Sequence, residues 1–427
     1  TIAFQLIVAI FALIKGFASL KLLVMMGDDT YAYMSQFMVL TLFLGQLILF
    51  NYNASVVISV GNNENSNLIY HSTTLVLFIT FSLLASTLLF FNDIVISIFW
   101  GDIESDYLDL FLLYTLVIGF SIRNIAFFQA YKDFRVYSTY QISQFTCQVM
   151  AIFIGYMGNS LVLIIYLLIF FEVTIVFVSS YIIKVKYLNY STERVTLENI
   201  KHWIVNNIGK SLSLLLVTVL MWLYYNYGRL LVVNFSGIND LSKYAASLSL
   251  ILLSGMFVNN VANIFFPYLN SSEHEKHLEQ ASFIMIIFTI LPSVFIYIAS
   301  PHILDYLANK DFYLGADFFI TYLSAIVILG QVRILSLASI VKDKKRHSWF
   351  GYFIGCLIAL LFSYYSYEKL NMLGISVGMV LGSLISYIYL SAVNRNWNIE
   401  FFIILVANIF WMFLSREYIS FITLSTS

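Results

Sequence analysis

The sequence predicts an all-α polytopic membrane protein made of two parallel six-helix bundles, about 12 spans with a candidate thirteenth. Three observations predict it. First, 60% of the 427 residues are hydrophobic and only 11% are charged, with a mean hydropathy of +0.86. Soluble domains carry about 25% charged residues, so this chain cannot cover itself with a water-facing surface. Second, apolar runs of roughly 20 residues recur from end to end, each long enough to cross about 30 Å of hydrocarbon. They are continuous, whereas a barrel would show alternating strands of about ten residues. Third, a charged helix end occurs twice. Arg123 to Arg135 reads RNIAFFQAYKDFR and Arg333 to Arg346 reads RILSLASIVKDKKR, 210 positions apart.

The spans are drawn where polar clusters bound the apolar runs. The first six cover Ala3–Val24, Tyr31–Val57, Leu68–Phe91, Tyr107–Tyr131, Tyr137–Tyr156 and Ser160–Ile183. The opening run is too long for a cleaved signal peptide and has no basic leader, so it is expected to be the first span, with a few native residues before it. Lys184 to Trp203 is the longest polar piece. Six more spans follow: Leu212–Phe235, Tyr244–Phe266, Ser282–Ser300, Phe318–Val341, Trp349–Tyr365 and Met372–Val393. Phe401–Leu414 is a thirteenth crossing or an interfacial tail. The expected organisation is a bundle over 1–185, a cytoplasmic linker over 186–208, a second bundle over 209–394 and a hydrophobic tail over 395–427.

The repeat runs beyond the two arginines. Lys21-Leu-Leu-Val, Gly27 and Tyr31-Ala32 match Arg229-Leu-Leu-Val, Gly237 and Tyr244-Ala245, and Gly158-Asn-Ser-Leu-Val resembles Gly374-Ile-Ser-Val-Gly. Offsets all lie between 206 and 216 residues. Six spans return the chain to its starting side, so the halves are parallel repeats, an arrangement in which transporters place substrate near the repeat interface.

Orientation follows from Lys and Arg in short loops. With the N-terminus in the cytoplasm, inner loops carry Lys132, Arg135, Lys184, Lys186, Arg194, Lys201, Lys276, Lys342, Lys344, Lys345, Arg346 and Arg395. Outer loops carry only Lys243, Lys310 and Lys369, beside Asp28, Asp29, Asp102, Glu104 and Asp106. The expected N-terminus is cytoplasmic.

Five ionisable groups fall inside spans, where each costs a few kcal/mol and marks a pathway or a paired site. Lys15 and Glu172 sit mid-span. Arg123, Arg229 and Arg333 lie about two turns from span ends. Arginine offers a planar fork of donors suited to phosphate oxygens, and lysine a mobile point charge. A water-filled path with four cations and one acid suits an anion. The plainer alternative is that the arginines snorkel to headgroups and Lys15 pairs structurally with Glu172. Glu172 either couples transport to an ion or neutralises Lys15.

Other features weigh less. Gly374, Gly378 and Gly382 form a helix-packing stripe. Pro292 is a hinge or a tolerated kink. Glu273-His-Glu-Lys-His277 has ligand-type residues but reads as a solvated loop, so no metal is expected. The 30 Tyr and 39 Phe fit interfacial belts, and some could stack on sugars. Cys147 and Cys356 fall within spans and make no disulfide framework. No nucleotide loop, nucleophile elbow or zinc pattern appears, so no cofactor and no nucleic-acid partner is expected.

The segment from Gly228-Arg229-Leu-Leu-Val through Gly237 to Lys243-Tyr244-Ala245-Ala246 resembles the span-seven signature of polysaccharide exporters, with Gly228 in place of that signature's acidic or amide residue. Gln129-Ala-Tyr-Lys-Asp-Phe134 and Leu314-Gly-Ala-Asp-Phe318 resemble two further signatures. The family is the O-antigen flippases of Wzx type, within the multidrug/oligosaccharidyl-lipid/polysaccharide (MOP) exporter superfamily. The resemblance implies a MATE-like fold in a bacterial inner membrane, and no enzyme activity. It implies flipping of an undecaprenyl-pyrophosphate-linked O-antigen or polysaccharide repeat unit by alternating access. Lys15, Arg123, Arg229 and Arg333 would meet the pyrophosphate or anionic glycan. The implied partners are the lipid-linked oligosaccharide, membrane lipids and polysaccharide assembly proteins.

Three rivals remain. A MATE-type cation-coupled drug antiporter needs buried carboxylates, and this sequence offers one against four cations. An O-antigen polymerase needs a large outer loop, and no outer loop here exceeds about 16 residues. A non-transporting scaffold would not need the buried charges.

Overall fold

The computed structural model describes residues 2–61, 64–91, 107–188, 195–269, 274–342 and 344–394. Among these the chain forms thirteen α-helices, one short 3₁₀ turn and no strand. They are α1 Ile2–Met26, α2 Asp28–Ile48, α3 Tyr52–Gly61, α4 Ser66–Phe90, α5 Leu108–Ala130, α6 Phe134–Met157 and α7 Leu161–Lys186. Then come α8 Leu197–Phe235, α9 Ile238–Leu269, α10 His274–Leu307, α11 Ala316–Val341, α12 Lys345–Leu370 and α13 Met372–Asn394. All but α3 have 21 residues or more, which gives twelve span-length helices among the described residues. Nine of them are long and apolar enough by composition to cross a membrane, and the chain is a multi-pass membrane protein. The candidate crossing over 401–414 lies outside the described residues, as do Arg194, Arg395 and the acidic residues 102, 104 and 106.

Local chemistry sets the helix starts. Asn65 caps α4 by accepting from the amides of Asn67 and Leu68; Asp133 caps α6 through Val136, and Ser160 caps α7 through Leu163. Gly27, Gly237 and Gly315, before α2, α9 and α11, have φ of 138°, 82° and 92°, a region that costs other residues dearly. Left-handed asparagines mark the turns before α7 and α13, Asn159 with φ 47° and Asn371 with φ 49°. These two stand 212 positions apart, so the turns correspond one helical turn away from the Gly158/Gly374 pairing that sequence suggests.

Three segments differ from their sequence-drawn bounds. The second span is broken: α2 ends at Ile48, and Phe50 and Asn51 both take left-handed φ (52° and 53°) before α3 begins. Thr80 of α4 donates a hydrogen bond to the Ile48 carbonyl at this break. Among the described residues of the polar piece 184–203, most are helical, because α7 continues to Lys186 and α8 starts at Leu197. At 39 residues and about 1.5 Å rise each, α8 is roughly 58 Å long and outreaches a bilayer of about 40–45 Å. Finally, the 274–277 stretch opens α10 rather than forming a loop, and α10 runs unbroken through Pro292 and Pro301.

The chain divides into two compact units. One comprises Thr1–Val219 and Val233–Ser242, the other Leu220–Val232 and Lys243–Ser427. In the first unit α1 packs on α6, α2 on α5, and α7 on α5 and α6. The first part of α8 is fastened to α3 and to the residues Asn51 and Glu64 on either side of it. Trp203 Nε1 donates to Glu64 (3.0 Å), the Tyr52 hydroxyl to the Ile204 carbonyl (3.0 Å), Ser55 shares a bond with Ser211 (2.8 Å), and Asn51 donates to Thr218 (3.3 Å). In the second unit α13 packs on α11 and α12, and α10 on α11. The α12–α13 seam is a small-residue packing face. A Cβ on Gly382 would overlap the Gly355 carbonyl, and one on Gly378 would lie 2.7 Å from the Ala359 carbonyl.

Of the nine strongly apolar helices, α11 and α5 are the most enclosed, and they carry Arg333 and Arg123.

Candidate functional site

The first unit buries a cation beside an amide. Arg123, 1% exposed, is wedged between α4 and α7. Its Nη1 donates to Thr74 Oγ1 (2.6 Å), its Nη2 to the Tyr70 hydroxyl (3.0 Å) and Ser180 Oγ (3.4 Å), and both Nε and Nη2 donate to Asn124 Oδ1 (3.2 and 2.9 Å). The guanidinium carbon also lies 4.2 Å from the Tyr70 ring centre and 5.0 Å from that of Phe120. Asn124 turns its amide the other way and donates to Ser179 (2.7 Å), Ser180 (3.0 Å) and the Val176 carbonyl (3.3 Å). Every partner is neutral. Among the described residues no carboxylate forms an ion pair with Arg123.

Glu172 on α7, also fully buried, belongs to an adjoining network. Gln144 Nε2 of α6 donates to its carboxylate (2.8 Å) and reaches Ser121 Oγ (3.4 Å), and Ser121 shares a 2.5 Å hydrogen bond with Tyr140. Tyr140 lies within the field of both Glu172 and Arg123, so the two groups share one polar neighbourhood. Lys15 on α1 is half-buried, with Nζ 5.5 Å from the Phe145 ring centre. Lys15 and Glu172 feel each other's charge, but no ion pair of 4.0 Å or less joins them. A direct Lys15–Glu172 pair is therefore not what holds either group.

The second unit is different in character. Arg229 on α8 is buried within the fields of Tyr244 on α9 and Tyr322 on α11. Arg333 on α11 is half-buried. Its Nη1 donates to the Met221 thioether (3.1 Å), and it reaches the Tyr352 hydroxyl of α12. Its Nε is buried and has no hydrogen-bond partner among the described residues. Tyr225 lies within the field of Arg333, and Tyr322 within the fields of Arg229 and Tyr225, so the two arginines share a tyrosine-rich neighbourhood.

The structure thus brings Lys15, Arg123 and Glu172 into one neighbourhood and Arg229 and Arg333 into another. Sequence reading missed Asn124, Gln144, Tyr140, Tyr70 and Thr74. One signal was there: Gln141, Gln144 and Gln148 form a stripe of amides at helical spacing within an otherwise apolar span.

A cluster of side chains at the ends of α5 and α7 completes the unit. In the turn after α5, Asp133 accepts from the Tyr187 hydroxyl (2.6 Å) and pairs closely with Lys186 at the end of α7. The hydrogen bonds from Lys186 and then Tyr187 hold the Asp133 carboxyl down to about 2. Tyr131 stacks on Tyr187, ring centres 4.4 Å apart, and locks the same turn.

No protein-family model matches the sequence, and no curated protein matches it. Solved structures do. The lipid II flippase MurJ in an inward-closed conformation superposes with a TM-score of 0.74 over 98% of this chain and 93% of its own, at 15% identity. An inward-facing multidrug-resistance MATE transporter of the MOP superfamily gives 0.66 over 94% and 95%, at 14% identity. A MOP superfamily transporter from Pyrococcus furiosus, described as having a binding pocket of reversed polarity, gives 0.62 over 91% and 93%, at 13% identity. The chain has the MOP fold. Within that fold Arg123 and Arg333 occupy α5 and α11, the fourth and tenth span-length helices, and so hold matching places in the two halves.

Proposed function

We propose that this protein is a flippase for a lipid-linked anionic glycan. The substrate is an undecaprenyl-pyrophosphate-linked O-antigen or polysaccharide repeat unit, moved by alternating access across a bacterial inner membrane with the N-terminus in the cytoplasm. The observation that carries this reading is the charge balance of the span interiors. Lys15, Arg123, Arg229 and Arg333 stand against Glu172, an excess of cation that suits a pyrophosphate and not a cationic drug. The structural likeness to a lipid II flippase supports it. The anionic group meets cations drawn from these four while the lipid tail stays in the bilayer. Glu172 is the candidate for ion coupling, and polysaccharide assembly proteins are the expected neighbours in the membrane. A cation-coupled drug antiporter is the rival reading, and Glu172 is the observation in its favour.

The test is export in a flippase-null bacterial strain. Wild-type protein should restore surface polysaccharide. Arg123→Ala, Arg229→Ala and Arg333→Ala, each at normal protein level, should reduce it and leave the lipid-linked unit in the inner leaflet. Failure of the wild type to restore export of any lipid-linked glycan, together with resistance to a cationic drug, would move the assignment to the antiporter.

A further inference from the structure

The two arginines that the repeat places at matching positions are in opposite chemical states. Arg123 makes five hydrogen bonds to oxygen acceptors, with Tyr70 and Phe120 rings on its guanidinium. Releasing it to a ligand would unmake the Ser180 and Thr74 contacts that tie α5 to α7 and α4. Among the described residues Arg333 makes one geometrically good hydrogen bond, and its acceptor is a thioether, a weak one. The neighbouring residue explains part of the contrast: where Asn124 follows Arg123, Ile334 follows Arg333, and isoleucine has nothing to accept with.

Buried polar groups of native proteins nearly always have partners, and an exception calls for a physical reason such as a ligand. Among the described residues Arg333 Nε is such an exception. The group in front of Nη1 is also one that yields cheaply, because methionine is flexible and soft. Tyr352 adds a hydroxyl that can donate to an anion's oxygen, and Tyr225 lies within the field of the same guanidinium. Guanidinium forks bind phosphate through two parallel donors, and Nε with an Nη is one such edge.

We infer that Arg333, with Tyr352 in reach and Met221 as a displaceable cover, forms the phosphate-contacting subsite, and that Arg123 is a positioning residue that never touches the ligand. The inference deepens the flippase reading and rests on it for the identity of the anion.

The probe is inorganic pyrophosphate, titrated calorimetrically into the full chain in nanodiscs of neutral lipid, with thermal unfolding followed on the same samples. Arg333→Gln should weaken binding at least tenfold with Tm close to wild type, and Tyr352→Phe about threefold. Arg123→Gln should lower Tm while the folded fraction binds as the wild type does. Where that variant cannot be purified, Thr74→Val takes its place, with the same pattern expected. Wild-type affinity in Arg333→Gln, or no pyrophosphate binding by the wild type, would overturn the subsite. Arg333-dependent binding by a protein that restores no glycan export would support the subsite and sink the flippase reading, so the two can fail separately.

Discussion

Gly228 lies against Tyr244 so closely that a Cβ at this position would overlap the phenolic oxygen and sit 2.8 Å from Ile375 Cγ2. The polysaccharide-exporter signature that this segment resembles has an acidic or amide residue there. Here the space is taken by a fully buried tyrosine, and glycine is what allows α8 to meet α9 and α13 at this level. Gly228→Ala should therefore cost about 1–3 kcal/mol, as overpacking does, and Gly228→Asp more. Tyr244→Phe, which removes the nearest atom, should recover part of the loss in the double variant. Thermal unfolding in detergent checks this, and a Gly228→Ala protein that melts with the wild type would refute it.

Asn124 should matter to stability more than a neutral amide ordinarily does. Asn124→Leu leaves Arg123 short of two hydrogen bonds and Ser179 and Ser180 short of a donor, a loss of about 3 kcal/mol. Thr74→Val removes one bond to the same guanidinium and should cost about 1 kcal/mol. Chemical unfolding of the two single variants gives the ratio; equal losses would mean that Asn124 is not the central acceptor.

The Asp133 latch predicts an acid response. Its folded-state value, about 2, lies below the ordinary 3.8, so the carboxylate stabilises the fold at neutral pH. That contribution is lost as pH falls from about 4 through about 2. Because Lys186 is half-exposed, its worth is about 1 kcal/mol or less. Asp133→Asn should be less stable than wild type at pH 7 and indistinguishable from it near pH 2. A difference that persists at low pH would assign the loss to the α6 cap instead.

Lys132 has φ of 56° and an exposed side chain in the turn between α5 and α6. Left-handed backbone costs ordinary residues about 1–2 kcal/mol, part of which glycine returns as chain entropy. Lys132→Gly should raise stability by about 0.5–1 kcal/mol. A lower Tm would show that the lysine side chain contributes more than the strain costs.

Much of the fold was legible, because length and apolarity decide whether a helix spans. The partners of the buried charges were not. Arg123 and Arg333 look alike in sequence, each followed nine residues later by a Lys-Asp pair. They differ through Thr74, Tyr70 and Ser180, which approach only when α4 and α7 fold against α5. Trp203 read as the end of a loop because its partner, Glu64, lies 139 residues away. The break at Phe50–Asn51 was hidden by the apolar residues on both sides of it, which continue the hydropathy of one span. The Gly374–Gly378–Gly382 stripe, by contrast, could be read from its four-residue period alone.

That stripe has a thermal consequence. Where α12 and α13 touch, carbonyl oxygens and hydroxyls of small residues face one another, and little hydrocarbon is withdrawn from water when they join. Lipid tails are as apolar as leucine, so the pair is held by dispersion and close fit. The large heat-capacity change that curves the stability of water-soluble cores comes from hydrating apolar surface. Parting these two helices within the bilayer should carry almost none of it, so their association should strengthen steadily on cooling, with no cold-induced loosening.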